Sequence, residues 1–340
     1  MITVAIKALN EEAHIAAAIE SALQAVAPFD GVVVLADSGS TDRTTEIAQN
    51  YPITILRLAD PEQRCCGAGA QLAFQGVATP WFYLMDGDMV LEADFLAPGL
   101  AYLQANPGCA GVGGRVIETV LANAEFRIRN AAMAREHHRR EGLVDRLDGG
   151  GLYRTDAIRS VGYFADANLV SYEEFELAAR LHAAGWSLAR IDRPAVSHAG
   201  YTEGGYTLMY RRFVSRRMDG AGAVLRAALA RPHFGRVLRR LAPLRVTAIV
   251  ALWWVLLVAA MWSGRDGLVV ALLVVPLAFL TLRRGSLALG VYSFCQWNLT
   301  AFGTLRGLLV PQRNPANGIA ATLLKRAPTP VGMMSAPAES

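Results

Sequence analysis

Two aspartates separated by one glycine, Asp86-Gly87-Asp88, directly follow the apolar run Trp81 to Met85. Two carboxylates one residue apart at a strand end can face the same hard cation, and the glycine keeps the backbone close and unobstructed. Mg²⁺ or Mn²⁺ held by one or two carboxylates generally completes its coordination shell with substrate phosphate oxygens. The bare triplet also occurs in turns, but its place after an apolar strand predicts a metal site that serves a nucleotide diphosphate.

A second acidic cluster, from Asp37 to Asp42 (D-S-G-S-T-D), follows the apolar run Gly31 to Ala36. One interpretation is a well-capped helix start, for which Ser40 and Asp42 supply the side chains. The other is that the carboxylate of Asp37 points into a crevice and accepts hydrogen bonds from a nucleobase or ribose. Both interpretations can hold at once, on different residues.

Both clusters stand at strand ends in an alternating series of strands and helices. The apolar runs predict strands at 2–9, 31–36, 52–58 and 81–85, with helices at 13–25, after Asp37, and at 67–75. Farther on, the pattern predicts helices at 94–106, 122–141 and 173–184 and extended segments at 109–118 and 186–191. This alternation predicts an α/β fold with a doubly wound, mainly parallel sheet, whose ligands bind beyond the carboxyl ends of the strands.

The apolar excess of the chain lies mostly beyond Val246, although hydrophobic residues make up 53% of the whole. The segments 246–262 and 268–282 carry no charge and together predict a transmembrane hairpin. Arginines concentrated on both sides of this hairpin predict that its ends are cytoplasmic. A third segment, 287–305, contains Gln296 and Asn298 and either spans the membrane or lies in its interface.

These segments divide the chain into four predicted regions. They are a first domain at 1–215, basic juxtamembrane helices at 216–245, a transmembrane region of two or three helices at 246–310, and a tail, partly disordered, at 311–340. The four cysteines form neither a paired framework nor a zinc spacing, which favours a reducing compartment. We therefore expect a multi-pass protein of the cell inner membrane, with its first domain in the cytoplasm and no nucleic-acid partner.

The first half of the chain resembles the family-2 glycosyltransferases of the GT-A fold. That family usually shows a strand followed by N-E-E, a strand followed by D-[DS]-G-S-T-D, and later a D-x-D. Here these read Asn10-Glu11-Glu12, Asp37 to Asp42 and Asp86 to Asp88, in the same order and spacing. The similarity continues through 149–154, 161–164 and 172–176 and covers about residues 1–215.

The resemblance implies a general base, a nucleotide-sugar site and a divalent metal, Mg²⁺ or Mn²⁺. The family segment that matches 172–176 usually reads E-D-x-[DE], and its Asp deprotonates the acceptor hydroxyl. The corresponding residue is Glu174, one methylene longer, with Glu173 as a second candidate; alternatively, both are only the acidic first turn of a helix. Nucleotide-sugar binding is implied for Ala8, Asn10, Glu12, Asp37, Gly67, Asp86, Gly87, Asp88, Gly150 and Arg212.

The metal is implied at Asp88, with Asp86 and His198 as further ligands. A lone histidine such as His198 is more often structural than a ligand. Arg212 belongs to a group of arginines that either reaches over the phosphates or binds lipid headgroups, and the sequence does not separate these roles.

The implied function is that of an inverting glycosyltransferase, which moves a sugar from a nucleotide-diphosphate donor, most commonly a UDP-sugar, to a lipid-linked acceptor. The acceptor is a polyprenyl phosphate or a polyprenyl-linked glycan at the cytoplasmic membrane face, in polysaccharide or glycolipid assembly, in contact with membrane lipids. One alternative is a nucleotidyltransferase-like enzyme, which would normally carry a glycine-rich basic loop where Ala8 to Glu12 stand. The other is a non-catalytic membrane scaffold.

Overall fold

The computed structural model describes residues 1–118, 137–198 and 204–328. The chain divides into two compact units. The first unit comprises Met1–Asn168, Glu174–Thr202 and Arg313–Ser340, and the second comprises Leu169–Glu173 and Glu203–Gln312. The predicted first domain at 1–215 therefore differs from the first unit at its carboxyl end, and the first unit also takes in residues from the far end of the chain.

The first unit is built on one ten-stranded sheet with helices on both faces. The strands are β1 (Ile2–Ala8), β2 (Val32–Asp37), β3 (Thr54–Leu58), β4 (Trp81–Asp86), β5 (Met89–Leu91), β6 (Cys109–Glu118), β7 (Gly142–Val144), β8 (Gly151–Arg154), β9 (Ser187–His198) and β10 (Ala321–Lys325). The helices are α1 (Ile15–Val26), α2 (Thr44–Ala48), α3 (Cys66–Gln75), α4 (Leu96–Ala105), α5 (Thr155–Ser160) and α6 (Glu173–Ala183), of which α6 begins one residue before the first unit resumes.

The centre of the sheet is parallel. β1 lies between β2 and β4 and is parallel to both, and β3 continues this half parallel to β2. Beyond β4 the directions mix, because β8 is antiparallel to β4 and β6, whereas β6 and β9 are parallel. The predicted doubly wound, mainly parallel sheet is confirmed.

Burial on both faces explains why β1 is almost wholly apolar. Ile2, Val4 and Ile6 belong to the hydrophobic core that contains α1, and Ala5 belongs to the core that contains α3. A strand covered on both faces reads as a continuous apolar run rather than an alternating one. Polar side chains are therefore left for the strand ends, where the acidic clusters stand.

Residues 321–325 form an edge strand that the sequence did not predict. β10 pairs antiparallel with β3, and the amide of Gln75 exchanges two hydrogen bonds with the backbone of Ile319, at 2.6 and 2.9 Å. The ammonium of Lys325 donates to the carbonyl of Tyr51 at 2.7 Å. The region 311–340, expected to be a partly disordered tail, thus contributes a strand to the sheet; residues 329–340 lie outside the described part of the chain.

The second unit is helical. Its helices are α7 (Gly205–Val214), α8 (Gly220–Ala228), α9 (Phe234–Arg240), α10 (Ala242–Trp262), α11 (Asp266–Arg284) and α12 (Leu287–Gly307). By length and composition α10 and α11 could cross a membrane, and among the described residues they are the two helices that meet this test. The helix predicted at 122–141 lies mostly outside the described residues, and only a 3₁₀ turn at His137–Arg139 is seen there.

Candidate active site

The register of the central strands brings the predicted acidic residues to one edge of the sheet. Ala8 lies opposite Asp37 in the pairing of β1 with β2, and Lys7 lies opposite Asp86 in the pairing of β1 with β4. Asp37 and Asp86 therefore flank the carboxyl end of β1 on its two sides. This is the edge at which parallel α/β sheets bind their ligands.

A recess at this edge, here called the strand-end recess, contains two of the predicted site residues that carry charge. It is lined by Lys7, Leu84, Met85, Asp86, Leu147, Gly150, Gly151, Tyr153, Phe164 and Glu174. The ammonium of Lys7 lies 3.1 Å from Oδ1 of Asp86. Asp86, Gly150 and Glu174, which are far apart in sequence, thus line one recess together with the half-buried ammonium of Lys7.

The orientation of Glu174 is set by its neighbour on α6. Glu176 is fully buried and its carboxylate accepts from Nε of Arg180 at 2.8 Å, while Arg180 also donates to the carbonyls of Tyr163 and Phe164 at 2.7 and 2.9 Å. Residues two apart on a helix point to different sides. The pair of Glu176 with Arg180 therefore fixes the buried face of α6 and leaves Glu174 directed at the strand-end recess.

Asp88 lies in a chain of three polar side chains that closes one side of the site. Nε2 of His198 lies 3.2 Å from Oδ2 of Asp88, and its Nδ1 lies 2.8 Å from Oε2 of Glu118. The hydrogen bonds with Asp88 and with Glu118 raise the pKa of His198 to about 10, against the effect of burial. The two carboxylates thus favour the protonated ring, and the predicted role of His198 as a metal ligand would require it to lose that proton.

The donor set at Asp88 suits a divalent cation. Oδ1 of Asp88 is buried and accepts no hydrogen bond from the described residues, which leaves one hard oxygen for an ion. Among the described residues no group of three or more Asp, Glu, His or Cys side chains is arranged as a metal cage. One or two carboxylates with substrate phosphates are the usual ligands of Mg²⁺, so Asp88, with Asp86 beside it, fits that mode of binding.

Glu11 faces the same acidic turn. A Cβ atom placed on Gly87 would lie 3.1 Å from Cγ of Glu11, so the absence of a side chain at Gly87 allows this approach. Burial and the neighbouring charge of Asp88 raise the pKa of Glu11 to about 7, with a smaller contribution from Asp86. The carboxyl group of Glu11 therefore lies close to the two carboxylates of the turn, those of Asp86 and Asp88.

The N-E-E loop is bound to the loop that follows β2. The backbone amide of Asn10 donates to Oγ of Ser40 at 2.9 Å, and its side-chain oxygen accepts from the amide of Thr41 at 2.8 Å. The carboxylate of Glu12 accepts from the amide of Arg43 at 3.1 Å. Asn10 and Glu12 thus hold the two loops together in the structure, and nucleotide binding by either residue stays a prediction.

Asp37 is fully buried at the base of these loops. Its carboxylate accepts from the amides of Gly39 and Ser40 at 3.2 and 3.0 Å and lies 3.3 Å from Nε of Arg57. Asp37 therefore orders the turn at Gly39 and Ser40 and does not cap α2, which begins at Thr44. At the start of that helix the carboxylate of Asp42 accepts from the amide and hydroxyl of Thr44 at 3.0 and 2.5 Å. Recognition of a nucleoside by Asp37 remains a prediction.

The glycine-rich turn before β8 forms the wall of the recess opposite β1. Gly150 has φ +95°, and a Cβ atom there would lie 2.7 Å from Oη of Tyr83 and 2.9 Å from the carbonyl of Leu84. Asp148, just before it, contacts His138 and Arg139 at 3.1 Å and Arg190 at 2.5 Å. Burial opposes the ionisation of Asp148, but the hydrogen bond with His138 and the charges of Arg139 and Arg190 outweigh it and hold its pKa below the usual range.

The remaining predicted residues occupy three other places. Gly67 is buried in the first turn of α3, which Cys65 caps by accepting from the amide of Ala68 at 3.3 Å. Glu173 is buried as the first residue of α6. Arg212 lies on α7 in the second unit, so its predicted contact with phosphates stays a prediction.

Three residues at the site were not singled out from the sequence. Lys7 is the one charged residue within the apolar strand 2–8, and that exception was a usable signal. Glu11 stood in the N-E-E motif, but nothing in the sequence distinguished it from Glu12. Glu118 ends β6, and only the pairing of β6 with β9, which sets Glu118 opposite His198, brings it to the site.

Comparison with known proteins gives a family and a fold. Residues 3–162 match the model of the family described as Glycosyl transferase family 2. No curated protein shows a significant match to the chain. The matched residues contain the N-E-E loop, both acidic clusters and the glycine-rich turn.

Solved structures share the fold at low identity. The mannosyltransferase PcManGT from Pyrobaculum calidifontis, in complex with GDP-Man and Mn²⁺, is 18% identical over 89% of this chain and 86% of that chain, with a TM-score of 0.58. TarS 1-349 from S. aureus, in complex with UDP-GlcNAc, is 14% identical over 90% of this chain and 92% of that chain, with a TM-score of 0.51. A longer TarS structure is 14% identical over 67% of this chain with a TM-score of 0.49, and the alignment spans only 43% of that chain. The predicted GT-A fold is confirmed.

Proposed function

Because this chain carries a family-2 glycosyltransferase domain over residues 3–162, we propose that it is an inverting glycosyltransferase that moves a sugar from a nucleotide-diphosphate donor to a lipid-linked acceptor. The observation that supports this most directly is the strand-end recess, where Glu174 lines the same cavity as Asp86 and its partner Lys7, beside the turn that carries Asp88. Its position matches the ligand edge of α/β sheets. Donors of this class are named with two of the similar structures, as GDP-Man and UDP-GlcNAc.

The proposed chemistry is an in-line displacement at the anomeric carbon. Glu174 accepts the proton of the acceptor hydroxyl as its oxygen bonds to that carbon and the bond from the carbon to the diphosphate breaks. Asp88, assisted by Asp86, would hold Mg²⁺ or Mn²⁺, which when bound neutralises charge on the diphosphate. Lys7 keeps Asp86 in place and adds a positive charge to the recess.

The proposed acceptor is a polyprenyl phosphate or a polyprenyl-linked glycan at the cytoplasmic face of the inner membrane. Support comes from α10 and α11, which are apolar along their length and largely exposed, with Arg283 and Arg284 at the end of α11 and Arg245 near the start of α10. Arginines at the ends of apolar helices are typical of the cytoplasmic side. Attachment to the same membrane raises the local concentration of a lipid acceptor, which is the physical reason to prefer one.

The donor site is tested by binding. Purified protein in detergent is screened with nucleotide sugars for a rise in its unfolding temperature that depends on Mn²⁺. We expect one donor to stabilise the wild type and Asp88→Ala to lose that effect, whereas Asp192→Ala, which removes an exposed carboxylate, should keep it. If no donor stabilises the wild type, or if Asp88→Ala responds equally, the assignment of the site is wrong.

The assignment of Glu174 as the general base is tested by measuring the rate of sugar transfer. Glu174→Gln should keep donor stabilisation and lower the rate of transfer to a polyprenyl-linked acceptor by at least about 10²-fold, and Glu62→Gln, an exposed position, serves as the matched control. Unimpaired transfer by Glu174→Gln would move the base elsewhere. Binding of donors without any transfer by the wild type would favour the scaffold alternative.

A further inference from the structure

We infer that the chain crosses the bilayer an even number of times, with α10 and α11 as the one crossing hairpin and α12 held on the side of the catalytic sheet. This inference rests on the membrane attachment proposed above. It resolves the two roles that the sequence left open for 287–305, and it follows from the sheet and from contacts within the second unit.

The connectivity of the sheet limits the number of times that the chain can cross the membrane. β9, which ends at His198, and β10, which begins at Ala321, belong to the same ten-stranded sheet. A sheet in water has all its strands on one side of the membrane, so the chain between His198 and Ala321 must return to the side from which it leaves. The number of crossings between these strands is therefore even.

The lengths of α10 and α11 identify the two crossings. At about 1.5 Å per residue, the 21 residues of α10 and the 19 residues of α11 are about 31 and 28 Å long. Both lengths suit a hydrocarbon core of about 30 Å. Arg265 in the turn between the helices and Asp266 at the start of α11 are exposed charges, which are costly in hydrocarbon, so the turn reaches the far surface rather than ending inside the membrane.

α12, in contrast to the hairpin, packs along one side on α7. Its Tyr292 packs on Tyr206 of α7 with ring centroids 5.1 Å apart, and its Phe302 packs on Phe213 at 5.9 Å. α12 thus follows α7 over about three turns, and α7 carries the exposed Arg211. A helix that runs alongside such a partner is not surrounded by lipid.

The carboxyl end of α12 is fixed by an ion pair between Arg306 and the buried Asp219. Arg306 donates to both carboxylate oxygens of Asp219, at 2.7 and 2.9 Å, and Asp219 is 2% exposed. The helix comes so close to this segment that a Cβ atom on Gly307 would lie 2.0 Å from the carbonyl of Asp219. Asp219 precedes α10 in the chain, so the end of α12 stays on the side from which α10 departs.

The contacts of α12 with the hairpin run from its base to about the middle of α10, at Trp253 and Trp254. Gly290 approaches Thr281 of α11, Ser293 accepts from Arg284 at 3.1 Å, and Phe294 packs on Trp253 at 5.6 Å. Away from these contacts the hairpin exposes apolar side chains along its whole length, which include Ile249, Leu252, Val255, Val258, Met261, Trp262, Leu268, Val270, Leu273 and Leu282. These exposed side chains are the surface that we assign to lipid.

Cysteine labelling tests this topology. In full-length protein with Cys65, Cys66, Cys109 and Cys295 replaced by alanine, single cysteines are placed by Ser263→Cys in the α10–α11 turn, Ser286→Cys in the α11–α12 turn, Ala316→Cys before β10, and Glu62→Cys in the first unit. Membrane vesicles of both orientations are treated with an impermeant maleimide. We expect Ser286→Cys and Ala316→Cys to label in the same vesicles as Glu62→Cys, and Ser263→Cys to label in the opposite ones.

Two results would overturn the inference. Labelling of Ala316→Cys together with Ser263→Cys would mean an odd number of crossings, and labelling of Ser263→Cys together with Glu62→Cys would mean that the hairpin does not cross. Release of the protein from vesicles by alkaline carbonate would instead refute the proposed membrane attachment itself. The labelling does not depend on donor binding. The labelling result can therefore be interpreted even if no nucleotide sugar stabilises the protein.

Discussion

Glu11 illustrates how single residues at the site are held in unfavourable surroundings. Its carboxyl group is partly buried beside Asp86 and Asp88, and its pKa of about 7 lies above the ordinary value of 4.5. A carboxyl group with a raised folded-state pKa keeps a proton that the unfolded chain has already released. The folded protein therefore loses stability as the pH rises from about 4.5 to 7, because the unfolded state ionises more readily.

Replacement of Glu11 by glutamine removes this effect. With divalent cations chelated, Glu11→Gln should raise the free energy of unfolding by about 1–2 kcal/mol at pH 8, and the gain should vanish near pH 4, where the wild-type carboxyl is protonated in both states. Thermal unfolding from pH 4 to 8 measures this, with Glu62→Gln as the exposed control. A variant that is less stable than the wild type at pH 8 would contradict the assigned environment of Glu11.

At the scale of elements, the glycine-rich turn before β8 depends on a cluster of charges. Asp148 is the carboxylate shared by His138, Arg139 and Arg190, and Arg190 is 4% exposed on β9. Removal of one partner from a buried ion pair leaves the other charge without compensation, which costs about 3–5 kcal/mol. The turn at Gly149 and Gly150 is therefore anchored to β9 by its preceding residue.

We expect Asp148→Asn to lower the free energy of unfolding at pH 7 by about 3 kcal/mol. The pKa of Asp148 is lowered by folding, so its contribution is complete above about pH 4 and fades as the pH falls, and the difference between wild type and variant should shrink in acid. Asp192→Asn, which breaks the exposed pair with Arg115, should cost no more than about 1 kcal/mol. Equal losses in the two variants would argue against the anchor.

A proline explains one contact between α10 and α11. Pro276 has no amide hydrogen, so the carbonyl of Leu272, four residues earlier, lacks its helical donor. The indole of Trp253 donates to that carbonyl at 2.8 Å. The neighbouring indole of Trp254 donates to Asn298 of α12 at 2.8 Å, so two consecutive tryptophans connect α10 to two different helices.

This arrangement predicts coupling between Trp253 and Pro276. Trp253→Phe should destabilise the protein by about 1 kcal/mol in detergent, because the carbonyl of Leu272 is then left unpaired. In the background of Pro276→Ala the helix supplies its own donor, so the same replacement should cost clearly less. The coupling is measured from the unfolding temperatures of the wild type, the two single variants and the double variant. If Trp253→Phe is equally destabilising with Pro276 and with Ala at that position, the indole of Trp253 does not replace the missing helical donor.

Sequence patterns predicted the elements of the sheet centre because burial on both faces leaves a strong apolar signal in β1, β2 and β4. They also predicted that Asp37 and Asp86 stand at strand ends, since parallel strands end at one edge. They did not predict that Lys7 pairs with Asp86, because that contact depends on the register of two strands whose paired residues are 79 positions apart. Glu118 was missed for the same reason, as its place opposite His198 depends on the pairing of β6 with β9.

At the scale of the whole molecule, the least predictable feature is the return of the chain to its first sheet. β10 is short and all but its last residue are exposed, so its sequence carries little of the apolar signal that marks a buried strand. Its partner β3 lies more than 260 residues earlier in the chain. The pairing matters because it covers an edge that would otherwise be open, and because the even number of crossings that we propose depends on it.

Truncation tests the contribution of this strand to the molecule. A chain that ends after Gly318 loses β10, the two hydrogen bonds between Ile319 and Gln75, and the contact of Lys325 with Tyr51. Its β3 edge then presents unpaired backbone groups, which promote association with other chains. We expect this protein to unfold several degrees below the full chain, at about 2–4 °C per kcal/mol lost, and to elute largely as aggregate in size-exclusion chromatography. A chain that ends after Pro328 keeps every one of these contacts and should behave as the full chain does. If both truncated chains unfold and elute alike, β10 does not hold the sheet edge, and an even number of crossings is no longer required.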